Sequence, residues 1–422
     1  MKYDMIIIGA GVSGLCAAYT VAANRPHMHI LVLEKESVCG RKLSASGNGK
    51  CNVTNSAFQS SCYHSSNPEF IEQWVNAHNA SEVTDFLYTM GIPTYSRNGY
   101  YYPVSNQAKQ VTNHIYQRCL DMGIDFLFQT EVISIQKNTH SPKTIYDITD
   151  SGHNIYHSSI VFLATGGAAA SKLGGSRSGY QLAKMLSHTI VPVHAVLSPI
   201  YMNDPDLRYA KGVRIDGTVT LQQNKEQSWR ESGQIQFNET NVSGIVIMNL
   251  SCHLPYFTEA ECHNALHIDC LPAWSWNELH DYLLQQTRTA PQESIRSMLQ
   301  GIFPNGFVTY LLKRLRIQEH VHVSDITEKQ WNRIVSNCKK MMFTPILKED
   351  FDKAQVTAGG VAVDEIDINT FESRKQKGVY IAGELLDING ICGGYNLTFA
   401  ILSGIQAAGS IVEKITVGGS YD

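Results

Sequence analysis

The sequence predicts an α/β protein whose parallel sheet is assembled from both ends of the chain, with structure of another kind inserted between them. Three observations carry that expectation. The first forty residues read as strand, glycine turn, helix, strand and acid. Residues 379–415 read as strand, Gly-acid, glycine-rich turn and helix. Between 190 and 342 the pattern changes to short alternating strands and then to helices.

Met5-Ile6-Ile7-Ile8 is a short apolar run of the kind a strand buried on both faces needs. It runs into Gly9-Ala10-Gly11-Val12-Ser13-Gly14, a G-x-G-x-x-G turn, after which Leu15, Ala18 and Ala22 recur at helical spacing. Ile30-Leu31-Val32-Leu33 is the next strand. Glu34 closes it, about twenty residues past the turn, where a dinucleotide fingerprint places an acid. Gly9 permits the tight turn, and Gly11 lets backbone N–H groups approach a pyrophosphate. Gly14 lets the helix lie close to the strand, so that the helix N-terminus faces the phosphates. Glu34 accepts from a ribose hydroxyl and repels a 2′-phosphate, which favours FAD or NAD over NADP. Ser13 in the turn and Lys35 beside the acid are further expected cofactor contacts. A glycine triplet alone is a weak signal; with strand, helix and acid around it, a Rossmann-like dinucleotide domain is the expected fold.

At 422 residues, 43% of them hydrophobic, the chain is long enough for two or three domains with real cores. A net charge of −4 exerts no global pull toward nucleic acid or anionic membranes, and DNA is not an expected partner. No apolar run reads as a membrane span. Residues 5–10 are too short and too soon broken by glycine for a signal peptide, so a cytoplasmic location is expected. Ten scattered cysteines read as reduced thiols. Cys252, His253, Cys262, His263, His267 and Cys270 lack zinc-site spacing, and Pro255 interrupts them, so no metal is expected.

Residues 67–90 read as a helix with Phe70, Trp74, Val83, Phe86 and Leu87 on its apolar face, stopped by Gly91. A second helix covers 106–122 and ends at Gly123. Residues 126–128, 132–136, 145–149 and 155–163 read as strands, with Asp150-Ser151-Gly152 turning between the last two. Alternation such as Val213-Arg214-Ile215-Asp216-Gly217 and Gln234-Ile235-Gln236-Phe237 predicts a small β-barrel or sandwich, taken as a barrel over 190–272. Residues 273–343 lack strand signals and read as a helical subdomain, with Leu283, Leu311 and Trp331 in its core. Residues 1–189 and 344–422 are then the two parts of one discontinuous dinucleotide domain.

Several blocks carry a family resemblance. They are Gly40-Arg41-Lys42-Leu43, Ser46-Gly47-Asn48-Gly49-Lys50-Cys51-Asn52-Val53-Thr54-Asn55, Tyr102-Pro103-Val104-Ser105 and Ala164-Thr165-Gly166-Gly167. Thr357-Ala358-Gly359-Gly360-Val361, Gly383-Glu384 through Gly390, and Gly393-Gly394-Tyr395-Asn396-Leu397 complete them. The chain resembles the YhiN and BaiN type flavoproteins, a branch of the two-dinucleotide-binding-domain FAD superfamily, over nearly its whole length. One departure is Arg177-Ser178-Gly179-Tyr180, where the family often reads Gly-Asp-Gly-Tyr. The resemblance implies a discontinuous FAD-binding domain with an inserted barrel and helical part. It implies that Arg41 and Lys42 face adenosine or pyrophosphate, and that the Val132 backbone pairs with adenine. Thr165, Gly166 and Gly167 would let the chain pass close to the cofactor, and Gly383-Glu384 would place an acid near the ribityl or pyrophosphate. Gly393, Gly394, Tyr395 and Asn396 would open a helix toward the flavin N1–C2=O locus.

The same resemblance implies an FAD-dependent oxidoreductase with NADH or NADPH as electron donor. Two kinds of C=C reduction are assigned in the family, one on a uridine of ribosomal RNA and one on bile-acid-type oxo-steroids. A small-molecule substrate and ribosomal RNA are thus both expected partners, and a non-catalytic FAD-binding module is the reading from another class. Cys392 and Cys51 lie in glycine-rich blocks expected beside the flavin and are the candidate proton donors. No C-x2-C or C-x4-C pair points to disulfide reductase chemistry. Lys313, Arg314 and Arg316, and separately Arg208, Lys211 and Arg214, are candidate phosphate contacts, and Tyr100-Tyr101-Tyr102 is a candidate stacking surface. His188 and His194 read as structural.

Overall fold

The apolar runs at Met5–Ile8, Ile30–Leu33 and Ile160–Leu163 have every residue buried, as strands covered on both faces must be. In the computed structural model, which describes residues 2–138 and 144–416, they form the centre of a five-stranded sheet. Its order is Val379–Ile381, Ile160–Leu163, Met5–Ile8, Ile30–Leu33, Asp125–Leu127, with every pair parallel. The edge strand at 379–381 comes from the far end of the chain, so the sheet is indeed completed from both parts. The single run at 155–163 divides. Ile155–Ser158 turns back on Tyr146–Asp150, and Ile160–Leu163 enters the parallel sheet. The Ser158 hydroxyl makes the break: it donates to Asp4 O and accepts the Ile160 N–H.

Helix Val12–Asn24 packs on the C-terminal helix Tyr395–Thr416. Close approach is possible because a Cβ at Gly404 would stand 2.5 Å from Ser13 O, which only glycine avoids. By length and composition the C-terminal helix is apolar enough to cross a membrane, contrary to the sequence reading. Two-thirds of its most apolar 18-residue stretch is buried inside the protein, which makes it a core helix. The expected helix over 67–90 is two helices, Pro68–Ala77 and Ala80–Thr89. Asn79 breaks it by capping the second: its side chain accepts from Ser81 N while Glu82 accepts from Asn79 N.

Residues 197–350 form a second compact unit with its own core. Its seven-stranded antiparallel sheet runs in the order Met341–Phe343, Leu266–Asp269, Arg214–Gln222, Ser228–Phe237, Asn241–Ser243, Ile200–Met202, Pro345–Ile346. The two outer strands are consecutive parts of one stretch, 341–346, interrupted only at Thr344, so the two ends of the sheet meet on the same segment. Two features differ from the expectation. Val219, Ile235 and Phe237 of the sheet share one core with Leu279, Leu311 and Trp331 of the helices. Sheet and helices are therefore one unit, not two divided at 272. Last, Ile190–Val196 pairs antiparallel with Val356–Val361 inside the first unit. The boundaries thus fall at 196/197 and 350/351 instead of 189/190 and 343/344.

Candidate functional site

The glycine turn lies at the C-terminal edge of the sheet, between Met5–Ile8 and the start of helix Val12–Asn24. A Cβ at Gly14 would stand 2.2 Å from Gly9 O, so this position is closed by packing. Gly11 is different: a Cβ there would meet Ala164 O at 3.7 Å and nothing else within 4 Å. Glu34 is drawn into the turn, its carboxylate accepting from Ala10 N at 2.7 Å and from Glu36 N at 2.9 Å. Burial pushes its carboxyl above the usual range, against the pull of these two N–H groups. Lys35 is half-buried beside it. Thr130 N donates to Glu34 O at 2.9 Å, which brings the start of strand Val132–Lys137, and the buried Val132, next to the acid.

The opposite wall comes from the second part of the domain. Glu384 accepts from Lys42 Nζ at 2.6 Å and from Thr357 N at 3.0 Å. Gly167 is small because a Cβ there would stand 2.7 Å from the Glu384 carboxylate. Gly383 rests on Ser13 Oγ, 2.6 Å from where its Cβ would be, joining the far end of the chain to the first helix. Arg41 pairs with Glu36 and donates to Lys172 O at 2.6 Å. Both expected phosphate cations are thus held by carboxylates. The Thr165 hydroxyl is buried with no hydrogen-bond partner among the described residues, and a Cβ at Gly166 would meet nothing within 4 Å. An open glycine cradle, a ribose-seeking acid and an orphaned hydroxyl together fit a dinucleotide pyrophosphate.

The third wall joins residues 46–55 to the turn at 390–396. Asn55 Nδ2 donates to Gly393 O at 3.3 Å, and Asn396 clasps Gly390 by donating to its carbonyl and accepting from its N–H. The Tyr395 ring lies against Gly393, its hydroxyl donates to Ala57 O at 3.0 Å, and it meets Tyr63 edge-on. Cys51 is fully buried at φ +62°, and burial pushes its thiol up to about 11. Cys392 is partly exposed in the glycine turn. Strand Tyr100–Pro103 pairs with Thr54–Asn55, which seats the tyrosine run beside this wall. His188 lies elsewhere, buried between Ser373 and Glu365. Asn52 was not singled out as a site residue by the sequence; its side-chain oxygen is buried and unpartnered among the described residues.

A parallel sheet completed by strands from both chain parts, with this turn and acid at its edge, defines a dinucleotide-binding protein of the Rossmann type. Residues 3–410 match the HI0933-like protein Rossmann domain, and the chain belongs to that family, an FAD-binding oxidoreductase family in agreement with the YhiN and BaiN resemblance. The chain is 31% identical over 408 residues to a 3-dehydro-bile acid delta(4,6)-reductase of Clostridium scindens, covering 97% of this chain and 98% of that protein. It is 27% identical over 420 residues to a ribosomal RNA dihydrouridine synthase of Escherichia coli, covering 97% and 98%. Among solved structures, a variant of FrdA from Escherichia coli quinol fumarate reductase shares the fold, with a TM-score of 0.50 and 14% identity over 100% of this chain and 71% of that one.

Proposed function

We propose that this protein is an FAD-dependent reductase that draws electrons from NADH or NADPH and saturates a C=C bond of a small, planar, unsaturated oxo-compound. The observation that carries the cofactor part is the open position at Gly11 in the turn whose Ala10 N–H binds Glu34. The likeness to the bile acid reductase, at 31% identity over nearly the whole chain, supports the reaction class. FAD, when bound, supplies the hydride that adds to one carbon of the double bond. In this reading Glu34 accepts from the adenosine ribose, and the N-terminus of Val12–Asn24 takes the pyrophosphate. The N-terminus of Tyr395–Thr416 places its free N–H groups where negative charge gathers on the ring. Cys392, partly exposed in the turn before that helix, gives its thiol proton to the second carbon and regains one from water. Cys51, fully buried with its thiol pushed up to about 11, has only a packing role.

A second reading, reduction of a uridine in ribosomal RNA, draws on one observation in the inserted unit. Arg208 and Lys313 are about a hundred residues apart in sequence, yet their charged heads stand 5.1 and 5.9 Å from the ring centre of exposed Tyr209. Cations around an exposed aromatic ring suit a single-stranded nucleic acid. Against this, Lys211 is paired with Glu239, and Arg314 is turned inward to Asp204.

The deciding experiment is anaerobic reduction of the purified flavoprotein by NADH and by NADPH, then reoxidation by an unsaturated oxo-steroid or by ribosomal RNA lacking dihydrouridine. Rapid reoxidation by the steroid alone supports the first reading; reoxidation by RNA alone, with dihydrouridine in its digest, replaces it with the second. A flavin that neither nicotinamide reduces would point to a non-catalytic FAD-binding module.

A further inference from the structure

Strands Thr94–Arg97 and Tyr100–Pro103 form a tight hairpin that pairs with Thr54–Asn55. Its turn is Asn98-Gly99, both at positive φ, the two-residue geometry that matches the twist of paired strands. Ser56 N donates to Gly99 O at 2.8 Å, which pins the turn to the same wall. Residues directly opposite one another in such a ladder share a face. Thr54 and Tyr101 share the inner one, where Thr54 Oγ1 meets Thr398 Oγ1 at 2.9 Å and Tyr101 packs on the core of the first unit. The outer face carries Asn55, Tyr100, Arg97, Tyr95 and Tyr102.

That outer face is aromatic, open to solvent and carries one unmatched charge. Tyr95, Tyr100 and Tyr102 are half-buried, and Arg97 is exposed. The rings of Tyr95 and Tyr102 are 6.1 Å apart between centres, and the Tyr95 hydroxyl is fixed by donating to Asn106 Oδ1 at 2.8 Å. Burial, then Tyr100 and Tyr95, raise the Tyr102 hydroxyl, and the nearby charge of Arg97 pulls against them. The Arg97 guanidinium has no ion pair among the described residues. At its inner end the face reaches the glycine turn, where Asn55 Nδ2 donates to Gly393 O at 3.3 Å. Arg97 stands two strands away from Asn55, roughly 10 Å at the usual strand spacing.

We infer that this face is the substrate platform: a planar ring system lies on Tyr100 and Tyr102, and Arg97 holds a carboxylate at the far end of the molecule. A guanidinium takes a carboxylate through two parallel N–H bonds, which fixes orientation as well as charge. One cation beside tyrosine rings suits a single anionic group on an apolar body, whereas a nucleic acid strand needs a row of cations along its phosphates. The inference rests on the oxo-compound reading and adds the charge and span of the substrate to it, an acid whose carboxylate lies roughly 10 Å from the glycine turn.

The test uses the full-length FAD-loaded protein with an unsaturated oxo-steroid that carries a side-chain carboxylate, and with its uncharged methyl ester. Equilibrium dialysis gives the Kd of each. Wild type should bind the acid at least about tenfold more tightly than the ester, and Arg97→Gln should abolish that preference by weakening the acid alone, about tenfold to a hundredfold, the scale of hydrogen bonds to a charged group. Arg97→Lys should recover part of the loss, and Tyr102→Leu should weaken acid and ester alike. A wild type that binds the ester as tightly as the acid, or binds neither, overturns the inference whether or not any variant folds. An Arg97→Gln protein that weakens both compounds equally, or neither, overturns it too. Weaker ribosomal RNA binding in Arg97→Gln with unchanged acid binding also overturns it and gives the face to nucleic acid. Arg97-dependent binding of an acid that never reoxidises the reduced flavin upholds the platform and overturns the C=C reductase reading alone.

Discussion

Gly11 and Gly14 are three residues apart in one turn, yet packing gives them different roles. Gly14 is crowded by the protein's own backbone, whereas the space off Gly11 is open. Gly11→Val should therefore fold and keep its circular dichroism spectrum while its FAD content drops to near zero. Stoichiometric FAD in that variant would show that the turn is not the cradle. The two candidate thiols differ in the same local way. Cys51 is fully buried with its thiol pushed up to about 11, and Cys392 is partly exposed. At pH 8, iodoacetamide should modify Cys392 first and leave Cys51 unlabelled, as read by peptide mass spectrometry. If Cys392 is the proton donor, Cys392→Ser should leave flavin reduction by nicotinamide nearly unchanged and slow substrate reduction by roughly a hundredfold. Equal small changes in both half-reactions would leave Cys392 as packing only.

At the scale of elements, the segment Val363–Gln376 is strapped to the end of helix Ser178–Met185 by one buried network. His188 sits between Ser373 Oγ at 2.8 Å and Glu365 Oε2 at 3.0 Å, and Lys375 pairs with Glu365 at 2.5 Å. Burial works against charge on Glu365, but donors from Lys375, Thr189 and His188 prevail and hold it at about 2. Burial lowers His188 below its ordinary 6.5, more than Glu365 raises it. Both shifts act in one direction. A depressed acid gives stability above its unfolded value of 4.5 that is lost as pH falls toward 2. A histidine kept neutral in the fold binds fewer protons than the unfolded chain, so stability also falls as pH drops through 6.5. The melting temperature should decline from about pH 7 downward, and His188→Gln should flatten the upper part of that decline, near pH 5–7. A wild-type melting curve flat across that range would contradict the neutral, buried histidine. The sequence marked His188 as structural but had no means of pairing it with Ser373 and Glu365, 185 and 177 residues away.

For the whole molecule, the two units carry separate cores, and Val196 pairs with Val356 where the chain leaves and re-enters the first unit. That pairing brings the cut ends together. Replacing residues 197–350 by a short Gly-Ser linker should give a folded, yellow protein whose flavin is retained but which no longer reduces its substrate. Loss of FAD from that deletion, measured as flavin per chain after gel filtration, would show that the insert is needed to hold the cofactor.

Much of the first unit was legible because its signals are local. A strand buried on both faces must be a continuous apolar run, a pyrophosphate turn must be glycine, and a ribose-binding acid must follow the second strand. Residues 5–34 and 379–384 meet those demands within a few positions of one another. What the tertiary structure decided are relations between distant residues. Lys42 meets Glu384 across 342 positions, the run at 155–163 is divided between two sheets, and the insert's sheet and helices share one core. Asn52 belongs with these. Whether a polar side chain finds a partner depends on everything that surrounds it in space, and only the folded chain leaves this one oxygen buried without a donor.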